Sequence, residues 1–161
     1  TTQATNKKEA TAWCDGFTSS DSSPDAIDKK ARALLSAPQP RKDAIAEVCP
    51  KKKEFAEAFA KDAAGRVVDS DFSCMSDGSS VTVSGTATVA GPTLASLGSY
   101  DVRIGIVVTS GAETSGVAPS DTISMTIPQG GSAPFSSTVP DPSNSTGRCA
   151  VRTLGLWPSG V

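Results

Sequence analysis

The side chains that could carry chemistry in this sequence are carboxylates, because the chain contains no histidine. Without an imidazole there is no Ser-His-Asp triad, no Cys-His pair and no histidine metal site. Glycoside hydrolysis needs only two carboxyl groups, about 5 or about 9 Å apart. Turns and strand ends are the more ordinary places for such aspartates, so we predict no catalytic residue and no enzyme, and keep a carboxylate-based glycan hydrolase as a third hypothesis. The candidates are Asp69, Asp71, Asp77, Asp101, Glu113 and Asp121.

No cofactor motif accompanies these carboxylates. Asp69-Ser70-Asp71 and Asp77-Gly78 invite a calcium interpretation, but the loop glycine and the closing glutamate of an EF-hand are missing. A weak calcium site in these loops is the most that the pattern allows, and we predict no metal. The sequence also lacks a Walker A motif, a Rossmann fingerprint and a G-x-S-x-G motif. We expect no cofactor.

Charge gives little reason to expect nucleic acid or lipid as a partner. The formal net charge is -2, and no basic excess exists to attract nucleic acid. No apolar run is long enough to span a membrane, so membrane attachment would require a lipid anchor that this sequence does not show. The densest positive run, residues 51–53, is expected to be a solvated helix end beside Glu54 and Glu57, with weak contact to anionic lipid headgroups as the alternative.

Composition divides the chain near Gly65. Alanine, lysine, glutamate and aspartate dominate before this point, and all nine lysines lie there. Serine, threonine, valine, glycine and proline dominate after it. This change predicts an α+β protein with a helical subdomain in residues 1–65 and a strand-rich part in residues 66–161.

Four cysteines divide evenly between the two parts, and none forms a C-x-x-C pair. Zinc and thioredoxin-like sites are therefore disfavoured. Of the three possible pairings, the one that respects the boundary joins Cys14 to Cys49 and Cys74 to Cys149. Each bond would stabilise the fold by roughly 3–5 kcal/mol in the chain-entropy model. Even numbers and long closures favour an oxidising, extracytoplasmic compartment over free cytosolic thiols.

Three or four short helices are predicted in residues 1–65. Ser23 is the expected N-cap of one of them, with Pro24 at the first helical position. Pro50 should interrupt or restart a helix. The apolar positions recur at helical spacing and should form a core, whose aromatic members are Trp13, Phe17, Phe55 and Phe59. An aromatic binding groove is the alternative role for these side chains.

Residues 66–161 show the alternation of β-strands. The last strand, ending near Trp157, fits either of two parities, one with Cys149 and Val151 inward, the other with Leu154 and Leu156. Six or seven short strands joined by turns suggest an antiparallel sandwich. The predicted strands are 67–74, 81–89, 100–108, 123–127, one around Phe135 and Val139, and 149–157, with a turn-rich loop over 91–99.

Three segments of this part follow one pattern: V-x-V-x-G-x-A-x-V from Val81 to Val89, Y-D-V-R-I-G-I-V-V from Tyr100 to Val108, and S-M-T-I-P-Q-G-G-S-A-P-F from Ser124 to Phe135. They resemble small immunoglobulin-like domains of bacterial envelope lipoproteins. The Ala- and Asp-rich helical segment is similar to actinobacterial secreted proteins. The resemblance covers residues 80–138. It implies an Ig-like β-sandwich that serves as an extracytoplasmic interaction module and not as a catalyst.

These observations together predict a non-enzymatic protein–protein interaction module, in the form of an accessory subunit on the outer face of a membrane complex. The alternative is a secreted inhibitor of a protease or other hydrolase, since a rigid braced loop binds with little ordering cost. Two loops could contact such a partner, 91–99 and 140–147. Their candidate contact residues are Pro92, Leu94, Leu97, Pro140, Pro142 and Asn144, the last of which begins an N-glycosylation sequon.

Overall fold

The computed structural model describes residues 2–62, 68–111, 113–141 and 148–161, with only the backbone of Thr2 and Asp69. These ranges hold five α-helices and six β-strands, which confirms the mixed α+β class. The predicted boundary at Gly65 lies outside them. No helix in the described ranges is long and apolar enough to cross a membrane.

Four of the helices precede the strands, and their ends follow the sequence signals. The Ser23 side chain accepts a hydrogen bond from the Ala26 amide, so the predicted N-cap is confirmed. Pro50 is the first residue of a new helix, where its missing amide proton costs nothing. The bounds are α1 Thr2–Gly16, a 3-10 turn Ser19–Asp21, α2 Pro24–Ser36, α3 Gln39–Val48 and α4 Pro50–Asp62.

The strands form two three-stranded antiparallel sheets. In sheet A the order is β1-β2-β5, and in sheet B it is β4-β3-β6. Consecutive strands that lie in different sheets, such as β2 and β3, make the chain cross between the sheets twice before β6. The bounds are β1 Val68–Ser76, β2 Ser80–Val89, β3 Tyr100–Thr109, β4 Asp121–Ile127, β5 Ser132–Pro140 and β6 Arg148–Pro158.

Both parities predicted for the last strand occur in β6. Val151 pairs with Ile106, and Leu156 pairs with Val102, although the two belong to opposite alternation patterns. A shift of register between Arg103 and Ile104 leaves Leu154 as an extra residue on β6. Such a β-bulge exchanges inward and outward positions along one strand. Alternation alone therefore left two parities open, because β6 follows one of them before the bulge and the other after it.

The prediction of a turn-rich loop over 91–99 after β2 is wrong, because Pro92–Leu97 forms a short helix, α5. Pro92 occupies the start of this helix, where proline is favoured. The Asp62 carboxylate accepts the Leu94 amide proton at 2.7 Å and so supplies the partner that the first turn lacks. Gly91, at φ 103°, has the left-handed backbone that glycine tolerates, and an added Cβ would meet the Asp62 side chain.

Two disulfides confirm the predicted pairing. Cys14–Cys49 closes a sequence separation of 35 within the helical part. Cys74–Cys149 closes a separation of 75 and joins β1 of sheet A to β6 of sheet B. A hydrogen bond from Ser137 Oγ on β5 to Asp121 on β4, 2.6 Å long, links the sheets again.

One hydrophobic core runs through the helices and the strands. Phe17 is fully buried, and its ring lies 5.0 Å from that of Trp157 on β6 in an edge-on arrangement. Phe55 of α4 contacts both Trp157 and Tyr100 of β3. The aromatic side chains predicted as a core of the helical part are therefore buried, and they share that core with the strands.

Candidate functional site

The most exposed large apolar side chains of the described strands lie on β1, at one edge of sheet A. Met75 is 70% exposed and Phe72 is 37% exposed. Within the described residues β1 pairs with β2 alone, so its other edge has no strand partner there. We call this feature, residues 68–76 with their outer edge, the β1 edge.

Local geometry holds Phe72 in place. It lies opposite Gly85 in the β1–β2 ladder, and a Cβ added to Gly85 would come within 2.7 Å of the Phe72 Cα. The two backbones approach too closely for any side chain at residue 85. The glycine therefore keeps β1 close to β2 at the level of its large aromatic side chain.

Acidic groups surround the β1 edge. Asp71 is exposed on the strand, and Asp77 follows it in the turn to β2. Hydrogen bonds from the Ser79 and Ser80 amides and hydroxyls lower the pKa of Asp77 to about 2. Asp141 accepts a hydrogen bond from Ser76 at 2.8 Å. Since β1 itself carries no Lys or Arg, the edge combines negative charge with exposed apolar surface.

The outer face of sheet A beside this edge is rich in hydroxyl groups. Thr82 and Thr138 are 3.0 Å apart at their hydroxyl oxygens, and Ser73 and Ser84 are 3.3 Å apart. Cross-strand hydroxyl pairs of this kind stabilise a sheet modestly. Because these hydroxyls bond one another, the face offers few strong anchors, and exposed Met75, which pairs with Thr82, is its distinctive apolar side chain.

The first predicted contact loop is not a free loop. Leu94 is 1% exposed, and its carbonyl oxygen accepts a hydrogen bond from the Tyr100 hydroxyl at 2.6 Å. Leu94 therefore belongs to the core. Pro92 is exposed and Leu97 is half-buried on the same short helix. This conformation contains no extended segment of the kind that enters a protease cleft.

The second predicted contact loop is only partly described. Pro140 is exposed at the end of β5, opposite Ser80. Pro142 and Asn144, with the sequon, lie outside the described residues. Pro140 thus lies beside Ser80, where the turn that contains Asp77 joins β2, and Pro92 lies on α5. Their role in binding stays a prediction.

The carboxylates proposed for hydrolysis are dispersed. Asp101 and Asp121 lie at opposite ends of the β3–β4 ladder, where they pair with Thr126 and Ile106. Five residues along a strand span roughly 17 Å. Asp77 lies in the turn of sheet A, and the Asp69 side chain is outside the description. Asp101 and Asp121 each accept hydrogen bonds from serine or threonine hydroxyls, which is the ordinary structural role of such groups.

The lysine run at 51–53 divides among different environments. Lys52 Nζ donates to the Cys14 carbonyl oxygen at 2.8 Å and lies 5.8 Å from the centre of the Trp157 ring. It satisfies a carbonyl at the end of α1, as cations near helix C-termini do. Lys53 forms an ion pair with Glu57. Lys51 is the exposed one, which leaves no dense positive surface at this helix end.

Comparison with known proteins gives no family. No family model, no curated protein and no solved structure matches this chain. Sequence reasoning had placed a strand at β1 but did not single out its edge. The signal was available, because the stretch D-F-S-C-M-S holds two large apolar residues and neither the lysine nor the proline that usually protects an edge strand.

Proposed function

We propose that this protein is a non-enzymatic, extracytoplasmic protein–protein interaction module. The observation that carries the proposal is the β1 edge, where Phe72 and Met75 stay exposed beside an unpaired strand edge of the described sheet. An edge strand presents backbone N–H and C=O groups that an extended segment of another chain can bond. Exposed apolar side chains then add contact area and selectivity.

The architecture behind this proposal is a helical subdomain joined to an Ig-like β-sandwich. The orders β1-β2-β5 and β4-β3-β6 correspond to A-B-E and C′-C-F of immunoglobulin domains. A disulfide between the sheets also supports it, although here it leaves from the first strand and not from the second. The resemblance to bacterial envelope domains is compatible with this order.

The proposed compartment follows from the cysteines. All four are paired, and structural disulfides persist outside the cytosol. An accessory subunit on the outer face of a membrane complex, attached through a lipid anchor or through its partner, is the form of this role that we favour.

The partner segment is expected to be extended, basic and apolar. Asp71 and Met75 point to one face of β1 and Phe72 points to the other, because side chains alternate along a strand, and Asp77 follows in the turn. Lysine or arginine beside apolar residues would therefore complement the β1 edge. Alternate side chains of an added strand point to the same face, so the partner residues that contact Asp71 and Met75 lie on one face and the residue that contacts Phe72 lies on the other. Binding should weaken as salt screens the acidic groups.

The experiment places a photo-reactive residue at position 75 of the full chain and expresses this variant in the organism that naturally produces the protein. A captured partner should be cross-linked through a basic extended segment, identified by mass spectrometry. Met75→Lys should then weaken binding of the purified partner, because it places a repelling charge on the edge. The matched control is Leu35→Lys, which changes a side chain 51% exposed on α2 and should leave binding unchanged.

Three results would overturn the proposal. One is the absence of any partner cross-linked at position 75. Another is equal loss of binding in both variants, which would indicate a general effect of charge. A third is a cross-link to a second copy of this chain, which would make the β1 edge a dimer interface.

A further inference from the structure

A second feature, on sheet B and away from the β1 edge, is a groove of about 340 Å³. It lies where the 3-10 turn of the helical part approaches β3, β4 and β6. This volume is near the lower end of the range for small-molecule sites. We call it the Arg103 groove, after one of its lining residues; its polar lining is Ser19, Ser22, Asp101, Arg103, Ser124 and Thr126.

The fold is irregular at this groove. Arg103 pairs with Ser124 on β4 and with Gly155 on β6, and the bulge at Leu154 follows at the next position. Bulges often occur beside functional sites, where they redirect a side chain. A Cβ added to Gly155 would lie 3.1 Å from Ser22 Oγ and 3.9 Å from the Arg103 Cβ. The glycine thus keeps the groove open between the turn and the arginine.

Arg103 is not neutralised by the chain around it. Arg32 and Arg41 form ion pairs, and Arg152 donates to two backbone carbonyls. In the described ranges the Arg103 side chain forms no ion pair and no hydrogen bond. A guanidinium group binds a carboxylate or a phosphate through two parallel hydrogen bonds, so the ligand at this position is expected to be an anion.

Asp101 supplies an acceptor on the same face. Its Oδ1 accepts hydrogen bonds from Thr126 at 3.2 Å and from Ser159 at 2.9 Å. Within the described residues no donor bonds Oδ2. A ligand hydroxyl could donate to this oxygen, whereas a doubly charged phosphate would be repelled by the same carboxylate. The groove therefore favours one negative charge next to hydroxyl groups.

From these features we propose that the Arg103 groove binds a sugar acid, a uronic acid of an extracellular glycan. The carboxylate of the sugar pairs with the Arg103 guanidinium. Its hydroxyls bond Asp101 Oδ2 and the Ser19, Ser124 and Thr126 hydroxyls. An acidic peptide side chain would engage Arg103 and leave these other polar groups unused, so the peptide is the weaker match.

The test is a titration of the isotope-labelled full chain with sodium glucuronate, followed by backbone amide NMR. Shifts are expected at Arg103, Ser124 and Gly155. Glucose should produce much weaker shifts, because it lacks the carboxylate. Arg103→Gln should weaken binding roughly tenfold to a hundredfold, as for a lost charge-assisted hydrogen bond. The control Arg32→Gln removes the same charge from the exposed face of α2 and should bind as the unmodified chain does.

A second variant covers the possibility that Arg103→Gln disturbs the sheet. Ser124→Phe, at an exposed position of β4, should block the groove and abolish the shifts. Its amide NMR signals should keep the dispersion of a folded protein. Equal shifts with glucose and glucuronate, or unchanged binding by Arg103→Gln, would overturn the proposal. Tighter binding of N-acetylglutamate amide than of glucuronate would overturn it in favour of an acidic peptide.

Discussion

Two edge strands of this protein, β1 in sheet A and β6 in sheet B, meet very different surroundings. On β6 the Leu156 amide donates to the Ser22 carbonyl, and Trp157 packs between Phe17 and Phe55. On β1, Phe72 and Met75 face solvent. The helical part thus covers one edge and leaves the other open.

This difference shows what the helical part contributes to the sheets. An uncovered apolar edge tends to associate with other chains. The helical part reduces that tendency on β6, because the Ser22 carbonyl accepts the Leu156 amide proton and the helices bury Trp157. Because Phe72 and Met75 stay exposed on β1, the same chain has one edge used for its own stability and one available for a partner.

The largest expected effect is on the free energy of unfolding, when the same phenylalanine-to-alanine change is made at the covered region and at the open edge. Phe17→Ala should lower the free energy of unfolding by about 3–5 kcal/mol, because it leaves a cavity among Trp13, Phe55 and Trp157. Phe72→Ala, the same change at the open edge, should cost about 1 kcal/mol or less. Denaturant unfolding of both variants measures the comparison, and similar losses would contradict it.

The next effect concerns the two disulfides. Cys74 is exposed, whereas Cys14 is 3% exposed. A mild thiol reductant should therefore open Cys74–Cys149 first, because Cys74 is the more exposed cysteine. Alkylation and peptide mass spectrometry should find Cys74 and Cys149 labelled before the other pair. The loss of the cross-link should lower stability by up to about 4 kcal/mol; earlier labelling of Cys14 would reverse the assignment of the open region.

The smallest effect is seen at alkaline pH, at the covered end of sheet B. Burial, with Asp62 and Glu54 nearby, raises the pKa of Tyr100 above its ordinary value of 10.0. The folded chain holds the phenol neutral while the unfolded chain ionises, so stability should fall as the pH rises above about 10. Tyr100 is the sole tyrosine, so phenolate absorbance should appear only with unfolding.

The control for this prediction is Tyr100→Phe. It should cost about 1 kcal/mol at neutral pH through the lost hydrogen bond to Leu94, and its stability should decline less above pH 10. Phenolate absorbance that develops in the folded protein would show that the end of the sheet near α4 is open to water.

Local signals were sufficient for most elements of the fold. The N-cap at Ser23, the helix start at Pro50 and the alternation in β2 and β3 all act within a few residues, and the structure agrees with each. The cysteine pairing followed from the change of composition. Each of these features depends on neighbours in the sequence or on a constraint that the composition itself reveals.

The features that were missed depend on contacts between distant residues. The helix α5 needs the Asp62 carboxylate as its partner, and the bulge at Leu154 is defined by its pairing to β3. Glycine and proline around 91–98 indicate a turn as readily as a short helix. The open edge of β1 and the Arg103 groove likewise arise only when separate segments come together.

The contact of Phe17 with Trp157 has a consequence for the order of folding. The helices lie near the start of the described chain, yet the partner that completes their core lies on the last strand. A chain emerging during synthesis could close Cys14–Cys49 early, while Cys74 has to wait through a separation of 75 residues for Cys149. Contacts this distant in sequence form slowly. The incomplete chain would thus carry both an unpaired thiol and an uncovered aromatic cluster, the kind of intermediate that chaperones and disulfide isomerases protect.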